Sequence, residues 1–348
     1  MATENKLVEL SRDGTTWFTL PGSTAEISQE GSELDNSIFG QKFGSTFTGI
    51  IDWSFSANAF MRQQAGYNVA LKEAGDPVAF TDEAMEQEDG QTYIITDRTK
   101  SLWDFAAGVS ISDAGAAVDS SDISEIDFIM GRVTFVDTYT VTGPVTATGD
   151  YRPTTEFGKA NSLTLTQSAD TIETGSFESV KASAGRQDFE PTLLTASLEL
   201  EGFYFEDNTW FQILTERDDL IVEIDLANDG KSVVRGFFKV SSDSQSGDVG
   251  GDETESVSLV LSVPEDQVPY SWFFATDSTA PEGVKILVES WLNRNNMHVR
   301  YLPNGANNRG FQGQVVVTDS SISAAVDALV EFTVDGQGTG NLQAINVT

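Results

Sequence analysis

Alternation of apolar and polar residues with a period of two is the feature that most constrains this chain. Side chains two positions apart lie on the same face of a strand, so this pattern indicates strands with one buried and one exposed face. Such strands are typical of antiparallel sheets. The clearest runs are residues 133–143, 162–167, 197–205, 220–226 and 256–262. The sequence therefore predicts a mainly β, antiparallel fold, with short helices at residues 99–106, 210–217 and 283–293 only.

Residues 162–262 contain an ordered series of elements that predicts one complete structural unit. A strand, a long polar loop, a second strand, a short helix, a third strand and a hairpin follow one another over roughly a hundred residues, a usual domain size. The series predicts an antiparallel β-sandwich or half-barrel with one short flanking helix. Its elements are the strand 162–167, the loop 168–190, the strand 193–205, the helix 209–217, the strand 220–226 and the hairpin 235–262.

A second copy of this series is split between the two ends of the chain. Residues 24–41 align without gaps on residues 162–179, which places Ile27 on Leu165 and Gln29 on Gln167. The same order of elements then follows, and an ordered series is harder to obtain by chance than alternation alone. The matching segments are 50–60 on 195–205, 283–291 for the helix, 296–305 for the third strand and 310–335 for the hairpin.

This duplication predicts three regions in the chain. Residues 1–60 plus 264–348 form a split first unit, and residues 156–263 form a complete second unit. Between the halves of the first unit, residues 61–155 form an inserted accessory β module, for which the sequence suggests no role.

The amino-acid composition excludes several kinds of catalytic and metal site. The chain of 348 residues has no cysteine and a single histidine, His298, so thiol chemistry, thiolate metal sites and multi-histidine metal sites are excluded. We expect no enzyme activity, no metal and no cofactor, and His298 is predicted to be an ordinary surface or interface residue. The acidic run 243–255 lacks the spacing of an EF-hand and is better explained as a hairpin tip. Four tryptophans at apolar spacing are predicted core residues: Trp53, Trp103, Trp210 and Trp291.

The net charge of −34 argues against neutralising a nucleic acid, which requires patches of lysine and arginine. It suits either a highly soluble surface or a wall that repels nucleic acid. No run of eighteen apolar residues is present, so we expect no membrane span. The N-terminal residues lack a basic stretch followed by an apolar one, and we expect no secretion signal.

Three segments carry a resemblance to a known family. They read IIDWSFSANAF near the N-terminus, KILVESWLNR further on, and GFQGQVVVTDSSISAAVDALVEFTVDGQGTG near the C-terminus. Together they resemble the major tail tube protein of long-tailed, non-contractile bacteriophages, the lambda-type tail tube family. The module, with YIITDRTKSLWD, IMGRVTF and GPVTATGDY, also resembles a module of phage structural proteins. Simple members of the family carry one tube unit, whereas this chain is predicted to carry two and a module.

The resemblance implies a structural virion protein, assembled in the host cytoplasm and located in the phage tail. Its copies would form rings with a sheet-lined channel, and stacked rings would conduct double-stranded DNA from capsid to host without binding it specifically. The implied partners are further copies of the chain, tail terminator and tail tip proteins, and a tape measure protein inside the tube. If both units line the channel, three chains make a pseudo-six-fold ring, which we favour; if only one does, six chains are needed.

Physical reasoning agrees with that role. A half-barrel has open edges, which invite uncontrolled pairing, and pairing with a neighbouring subunit removes them. Acidic side chains facing the channel would repel phosphate; the candidates are Asp52, Glu199, Glu201, Glu331 and Asp335. The resemblance also implies that the long loop after each first strand reaches the adjacent ring. The loops are residues 30–47 and 168–190, with candidate positions Glu30, Leu34, Phe39, Phe47, Ile172, Phe177 and Glu190.

An alternative remains open at this point. A β-sandwich adhesin, or a virion decoration protein that binds carbohydrate, would have the same strand pattern. Rings or tubes formed by the purified protein favour the tail tube, and dispersed monomers favour the alternative.

Overall fold

The computed structural model describes residues 7–35, 46–61, 68–158, 160, 162–174, 188–203, 215, 219–226, 230–246, 254–263, 268–275, 278, 280–303, 309–325 and 330–346. It is mainly β, with 69% strand and 7% helix, and its antiparallel sheets include a curled half-barrel sheet. The prediction of a mainly β, antiparallel fold with a short flanking helix is confirmed.

The elements are numbered in chain order. The strands are β1 (Leu7–Ser11), β2 (Phe18–Leu20), β3 (Gly22–Asp35), β4 (Thr46–Met61), β5 (Asn68–Ala74), β6 (Val78–Asp89), β7 (Thr92–Ile95), β8 (Val109–Asp113), β9 (Ala116–Ala117), β10 (Ile123–Asp127), β11 (Arg132–Phe135), β12 (Val145–Tyr151), β13 (Thr154–Gly158), β14 (Ser162–Glu173), β15 (Phe189–Phe203), β16 (Leu220–Asp225), β17 (Ser232–Ser246), β18 (Thr254–Leu261), β19 (Tyr270–Phe274), β20 (Met297–Leu302), β21 (Arg309–Ala325) and β22 (Val330–Asn346). The helix α1 spans Glu282–Leu292.

Eight long strands form one continuous antiparallel sheet. Its order is β3, β4, β22, β21, β14, β15, β18 and β17. The first four strands are called the first-unit sheet and the last four the second-unit sheet. They meet where β14 pairs with β21, which is called the internal junction.

The two four-stranded sheets have the same register. Ile27 faces Phe55 across β3 and β4, and Leu165 faces Leu198 across β14 and β15. Both ladders then shift register at equivalent points along the first strand. The predicted gapless alignment of the two first strands therefore matches their observed pairing.

The two hairpins share an irregularity as well as a register. The β21–β22 ladder and the β17–β18 ladder each contain a bulge. At these bulges Thr318 donates its hydroxyl to the carbonyl oxygen of Asp335 at 3.2 Å, and Ser241 donates to the carbonyl oxygen of Ser258 at 2.9 Å. An equivalent bulge with an equivalent hydroxyl bond indicates that the two sheets are copies of one design.

One predicted alignment is wrong by two residues. The segment 50–60 was matched to 195–205, which places Phe55 on Leu200, but the ladders make Phe55 equivalent to Leu198. Side chains alternate along a strand, so a slip of two residues leaves every side chain on its predicted face. The alternation alone could not distinguish the two registers.

Short strands extend each unit from its hairpin. In the first unit β20 pairs with the beginning of β21, β1 pairs with β20, and β2 pairs with β1. In the second unit β16 pairs with the beginning of β17, β5 with β16, and β13 with β5, while β19 pairs with the other edge of β17. β5 lies within the predicted module region 61–155, and β19 lies within residues 264–348, predicted to belong to the first unit, yet both pair with strands of the second unit.

One face of the eight-stranded sheet is covered by a common apolar core. Alternate residues of its strands are buried there, as in β14, where Leu163 and Leu165 face inward. α1 packs on this core through Val284, Leu287 and Trp291. The predicted helix at 283–293 is therefore present, and Trp53, Trp103 and Trp291 are buried as predicted. Trp210 and most of the predicted helix 210–217 lie outside the described residues.

The predicted helix at 99–106 is wrong. The chain forms only a short 3-10 turn at Arg98–Lys100, which begins where the Asp97 carboxylate accepts a hydrogen bond from the Thr99 amide. Further on, the Asp104 carboxylate accepts one from the Ala107 amide. Local side-chain bonds of this kind compete with helix formation.

The remaining strands form the accessory module. Seven strands pair in the order β10, β11, β7, β6, β12, β8 and β9. They enclose a separate small core that includes Phe80, Trp103, Ile111, Phe135 and Val145.

Candidate functional site

All five sequence-predicted channel acids lie on one face of the eight-stranded sheet. They are exposed and occupy the alternate positions that point away from the apolar core. Cross-strand pairing places them on a common face, because directly paired residues point the same way: Glu199 pairs with Ser258, and Asp335 pairs with Ser56. This surface is called the acidic face. Its predicted acids are Asp52, Glu199, Glu201, Glu331 and Asp335.

The strands of the acidic face are poor in basic residues. The eight strand sequences contain only Arg235, Lys239 and Arg309. Arg235 is buried, and Arg309 is the first residue of β21. Lys239 lies near one end of the sheet, on β17, and its ammonium is 3.6 Å from the Asp219 carboxylate. The face therefore has almost no positive charge to hold a phosphate.

The acids of the two units do not occupy equivalent positions. Glu199 of the second unit corresponds to Ser56 of the first, and Asp335 of the first corresponds to Ser258 of the second. A ligand site that had been duplicated would keep the same side chains at the same places. What the two sheets share is the sign of the charge, which is a property of the face as a whole.

Sequence reasoning missed several acids of this face, among them Glu26 and Asp319. Asp319 on β21 is paired directly with Asp335 on β22. Partial burial and the nearby charge of Asp335 raise the pKa of Asp319. Like charges directly opposite each other destabilise a sheet, so the pair stores a small unfavourable energy. The sequence did not show that Asp319 faces Asp335, because the pairing of these two residues depends on the bulge.

The internal junction joins the two units by backbone pairing and a buried polar network. Residues 162–168 of β14 pair with residues 319–325 of β21. Ser320 donates its hydroxyl to Gln167 Oε1 at 2.9 Å, and Gln167 Nε2 donates to the Tyr270 hydroxyl at 2.7 Å. Trp272 Nε1 donates to the same hydroxyl at 3.1 Å. Because these groups are buried, their mutual satisfaction fixes the position of β14 on β21.

Two edges remain open at the ends of the eight-stranded sheet. Among the described residues, β3 pairs only with β4, and residues 239–246 of β17 pair only with β18. These are the positions that correspond to the two sides of the internal junction. Exposed edges of this length are rare in proteins that remain monomeric.

The predicted inter-ring loops are shorter than expected. The structure places Glu30, Leu34 and Phe47 in the β3–β4 hairpin, where Leu34 pairs with Phe47. Ile172 and Glu190 pair with each other in the β14–β15 hairpin. Polar residues interrupt the alternation beyond the core, so the sequence pattern did not show that the strands continue. Phe39 and Phe177 lie outside the described residues.

The extended hairpin arm of the second unit carries exposed apolar side chains. Ile172 is 52% exposed and Leu193 is 61% exposed. Both lie on the part of the β14–β15 hairpin that follows the internal junction. Exposed apolar residues on a projecting arm are suited to contact another protein surface.

Two arginines fasten the module to the second unit. Arg132 of the module donates to the Ser271 hydroxyl at 2.7 Å and to the carbonyl oxygen of Trp272 at 3.1 Å. Arg235 of β17 donates to the Ser101 hydroxyl and to the carbonyl oxygen of Ile129, both at 2.7 Å. One arginine donates from the module to the second unit, and the other donates from the second unit to the module. These hydrogen bonds hold the module in place.

A cleft of about 540 Å³ lies between the module and the second unit, beside Arg235. Its charged lining is internally paired: the Glu223 carboxylate is 2.6 Å from both the Lys72 ammonium and the Arg235 guanidinium. These three groups form one ion-pair network in which a single carboxylate is shared by two cations.

His298 is half-buried on β20 beside Gly14 and Gln314. Burial lowers its pKa, which favours the neutral ring. Within the described ranges no cluster of three or more His, Asp or Glu side chains is arranged to hold a metal ion. None of the helices in the described part of the chain has the length and apolar character needed to cross a membrane.

Comparison with known proteins adds no relative: no protein-family model matches the chain, and no curated protein matches it.

Proposed function

We propose that this protein is a structural subunit that assembles edge to edge into rings, and that the stacked rings form a phage tail tube. One observation carries this proposal: a single chain already joins two equivalent sheets at the internal junction and leaves the equivalent edges open at both ends. The strand pairing that connects the two units within one chain is therefore the model for the proposed pairing between chains.

Head-to-tail joining through these edges has a defined geometry. The β3 edge and the β17 edge are different surfaces, so their contact is heterologous and produces either a closed ring or an open filament. A curled sheet favours closure, and a closed sheet is a barrel with no free edges. The proposed fold class of the assembly is therefore a ring-shaped β-barrel.

The acidic face is proposed to line the channel. The opposite face is covered by α1 and by the short flanking strands, and this second layer needs the larger circumference outside the barrel. A channel wall with Asp52, Glu199, Glu201, Glu331 and Asp335 repels DNA phosphates and lets the duplex slide. Double-stranded DNA thus passes through without specific binding.

Three chains per ring is the favoured copy number. The internal junction makes one continuous sheet from both units, so two sectors per chain would fill the six-sector ring that the resemblance implies with three chains. Six chains would be required if only one unit faced the channel and the other projected outward. A projecting unit would have no need for the continuous pairing between β14 and β21.

The remaining parts of the proposal come from the resemblance to tail tube proteins. The protein acts in the virion after assembly in the host cytoplasm. Its further partners are the tail terminator and tail tip proteins at the ends of the tube and the tape measure protein inside it.

The hairpin arms are proposed to join successive rings. Replacing Ile172 and Leu193 together by serine should leave rings intact but shorten or abolish tubes, because apolar contact area between rings is lost. Tube length in electron micrographs measures this. Val78→Ser serves as the control, since Val78 is an exposed apolar residue of the module, 43% exposed. Tubes of normal length from the double variant would remove these side chains from the stacking contact.

Electron microscopy of the purified protein tests the whole proposal. Rings or tubes with a central channel are expected, and native mass spectrometry of single rings should give three copies of the 37.6 kDa chain. Six copies per ring would overturn the trimer while leaving the tube. Dispersed monomers at all concentrations would overturn the tube and favour the adhesin or decoration protein.

A further inference from the structure

We infer that residues 26–30 on β3 of one chain pair with residues 242–246 on β17 of the next, and that the Gln29 amide meets the Asp243 carboxylate there. This inference rests on the proposed edge-to-edge assembly and specifies its contact. The occupant of each open edge is a second copy of this chain.

The register of the contact follows from the internal junction. β3 is equivalent to β14 and β17 is equivalent to β21, including their bulges. At the internal junction Thr166 pairs with Ser321 and Gln167 pairs with Ser320. The equivalent pairs between chains are Glu26 with Ser246, Ile27 with Gln245, Ser28 with Ser244, Gln29 with Asp243, and Glu30 with Ser242.

Burial at the open edges is incomplete where the internal junction is closed. Leu165 and Val317, on the two sides of the internal junction, are fully buried. Their equivalents Ile27 and Val240 pack against the core but remain half-exposed. Each open edge therefore lacks the apolar cover that a neighbouring strand supplies at the internal junction.

The polar side chains at the open edge also lack the cover that they have at the internal junction. Gln167 is only 1% exposed because β21 covers it, whereas the equivalent Gln29 is exposed. Across the internal junction Gln167 accepts a hydrogen bond from Ser320. The residue equivalent to Ser320 is Asp243, so a carboxylate replaces a hydroxyl at the contact between chains.

Asp243 is an unsatisfied group in the single chain. Its Oδ1 is buried and has no hydrogen-bond partner among the described residues. Burying an unpaired carboxylate oxygen is costly, and a donor is needed to offset that cost. The amide nitrogen of Gln29 from the neighbouring chain supplies one, in a charge-assisted hydrogen bond.

Disulfide trapping tests the register, since the natural chain has no cysteine. Ser28→Cys and Ser244→Cys in one chain should cross-link neighbouring chains under mild oxidation and give covalent multimers on a non-reducing gel. Thr166→Cys with Ser321→Cys is the positive control, because this pair faces each other within the chain. Glu30→Cys with Ser246→Cys is the register control; its positions lie four residues out of register and should not cross-link.

The outcomes separate the inference from the proposed function. Suppose that rings form and that the positive control forms its disulfide, but that Ser28→Cys with Ser244→Cys stays monomeric on the gel. The inferred β3–β17 pairing is then wrong, while the proposed tube is not contradicted. If the natural chain forms no oligomer by sedimentation or microscopy, the proposed function itself fails. Cross-linking of the register control as fast as the test pair would also overturn the inference.

A second measurement addresses the polar contact. Gln29→Ala and Asp243→Ala should each weaken association by roughly thirtyfold, and the double variant should be little worse than either. Asp243→Ser should lose much less affinity, because the equivalent residue at the internal junction, Ser320, is a serine. Glu125→Ala, at an exposed position of the module and outside the inferred ladder, should leave association unchanged. Additive losses from Gln29→Ala and Asp243→Ala would show that these side chains do not meet.

Discussion

In the first-unit sheet the indole of Trp53 fills the core next to Gly338, whereas the equivalent positions of the second-unit sheet hold Ala196 and Leu261. A Cβ atom on Gly338 would lie 2.1 Å from the Trp53 ring, so the large residue requires the small one. The second unit places its larger side chain on the other strand of the pair. The two units therefore keep the same backbone register but place the larger side chain of this pair on opposite strands.

The two first strands provide the strongest contrast between the units. Leu165 on β14 is fully buried, and Leu165→Lys should destabilise the folded chain by on the order of 5 kcal/mol, because the ammonium has no partner there. Ile27 on β3 lies at an open edge, and Ile27→Lys should cost about 1 kcal/mol or less, because the longer side chain can reach water. Urea unfolding of both variants measures the difference.

Ring formation is a second property by which the Ile27→Lys variant can be tested. Ile27→Lys should remain folded yet fail to form rings in sedimentation, since a charge then replaces the apolar contact at the edge. An Ile27→Lys protein that assembles normally would show that β3 is not an interface.

The exchange of volume in the core can be tested by transplanting it. Trp53→Ala should cost about 3–4 kcal/mol through the cavity it leaves. Adding Gly338→Leu recreates the arrangement of the second unit and should recover part of that loss. Gly338→Leu alone should be severely destabilising because Leu and Trp53 then compete for one space. Thermal unfolding of the three variants gives the comparison, and independent, additive losses would show that the two units are not equivalent here.

The fold was predictable from the sequence to the extent that it depends on alternation. Period two fixes which side chains point inward, so the strands, the burial of Trp53 and the outward position of the five acids followed from it. Alternation is blind to a slip of two residues, which explains the misplaced match of Phe55 to Leu200. It also ends where both faces are solvated, so the hairpin arms that contain Ile172 and Glu190 were assigned to loops.

The open edges were harder to see because they depend on pairing between distant segments. The alignment placed Gln29 on Gln167, and a polar residue at an inward position was a usable signal of an interface. Its counterpart Asp243 could not be assigned, because the bulges determine which residues of β17 and β21 are equivalent. Sequence alone did not reveal that β14 of one unit pairs with β21 of the other.

The equivalence of the units also makes a prediction about charge. Glu199→Lys with Glu201→Lys places two cations on the acidic face of the second unit, and assembled tubes should then retain DNA at low salt and release it as salt rises. Ser56→Lys with Asn58→Lys does the same at the equivalent positions of the first unit. If both units line the channel, both variants should retain DNA, the first more strongly because its substitutions also remove two carboxylates. Retention by only one of them would favour six chains per ring, with a single unit facing the channel.

The smallest expected effect concerns the Asp319–Asp335 pair, which the second unit replaces with Ser242 and Ser258. Burial and the charge of Asp335 raise the pKa of Asp319 above its ordinary value of 3.8. A carboxyl with a raised pKa in the folded state destabilises that state at a pH above the folded pKa, and the penalty disappears as the pH falls below the ordinary value. Asp319→Asn should therefore raise the unfolding midpoint in urea slightly at pH 7 and leave it unchanged near pH 3. In an Asp335→Asn background the gain should shrink but persist, because burial remains. A larger gain at pH 3 than at pH 7 would contradict this account, since it would mean that the charged form is the favoured one in the fold.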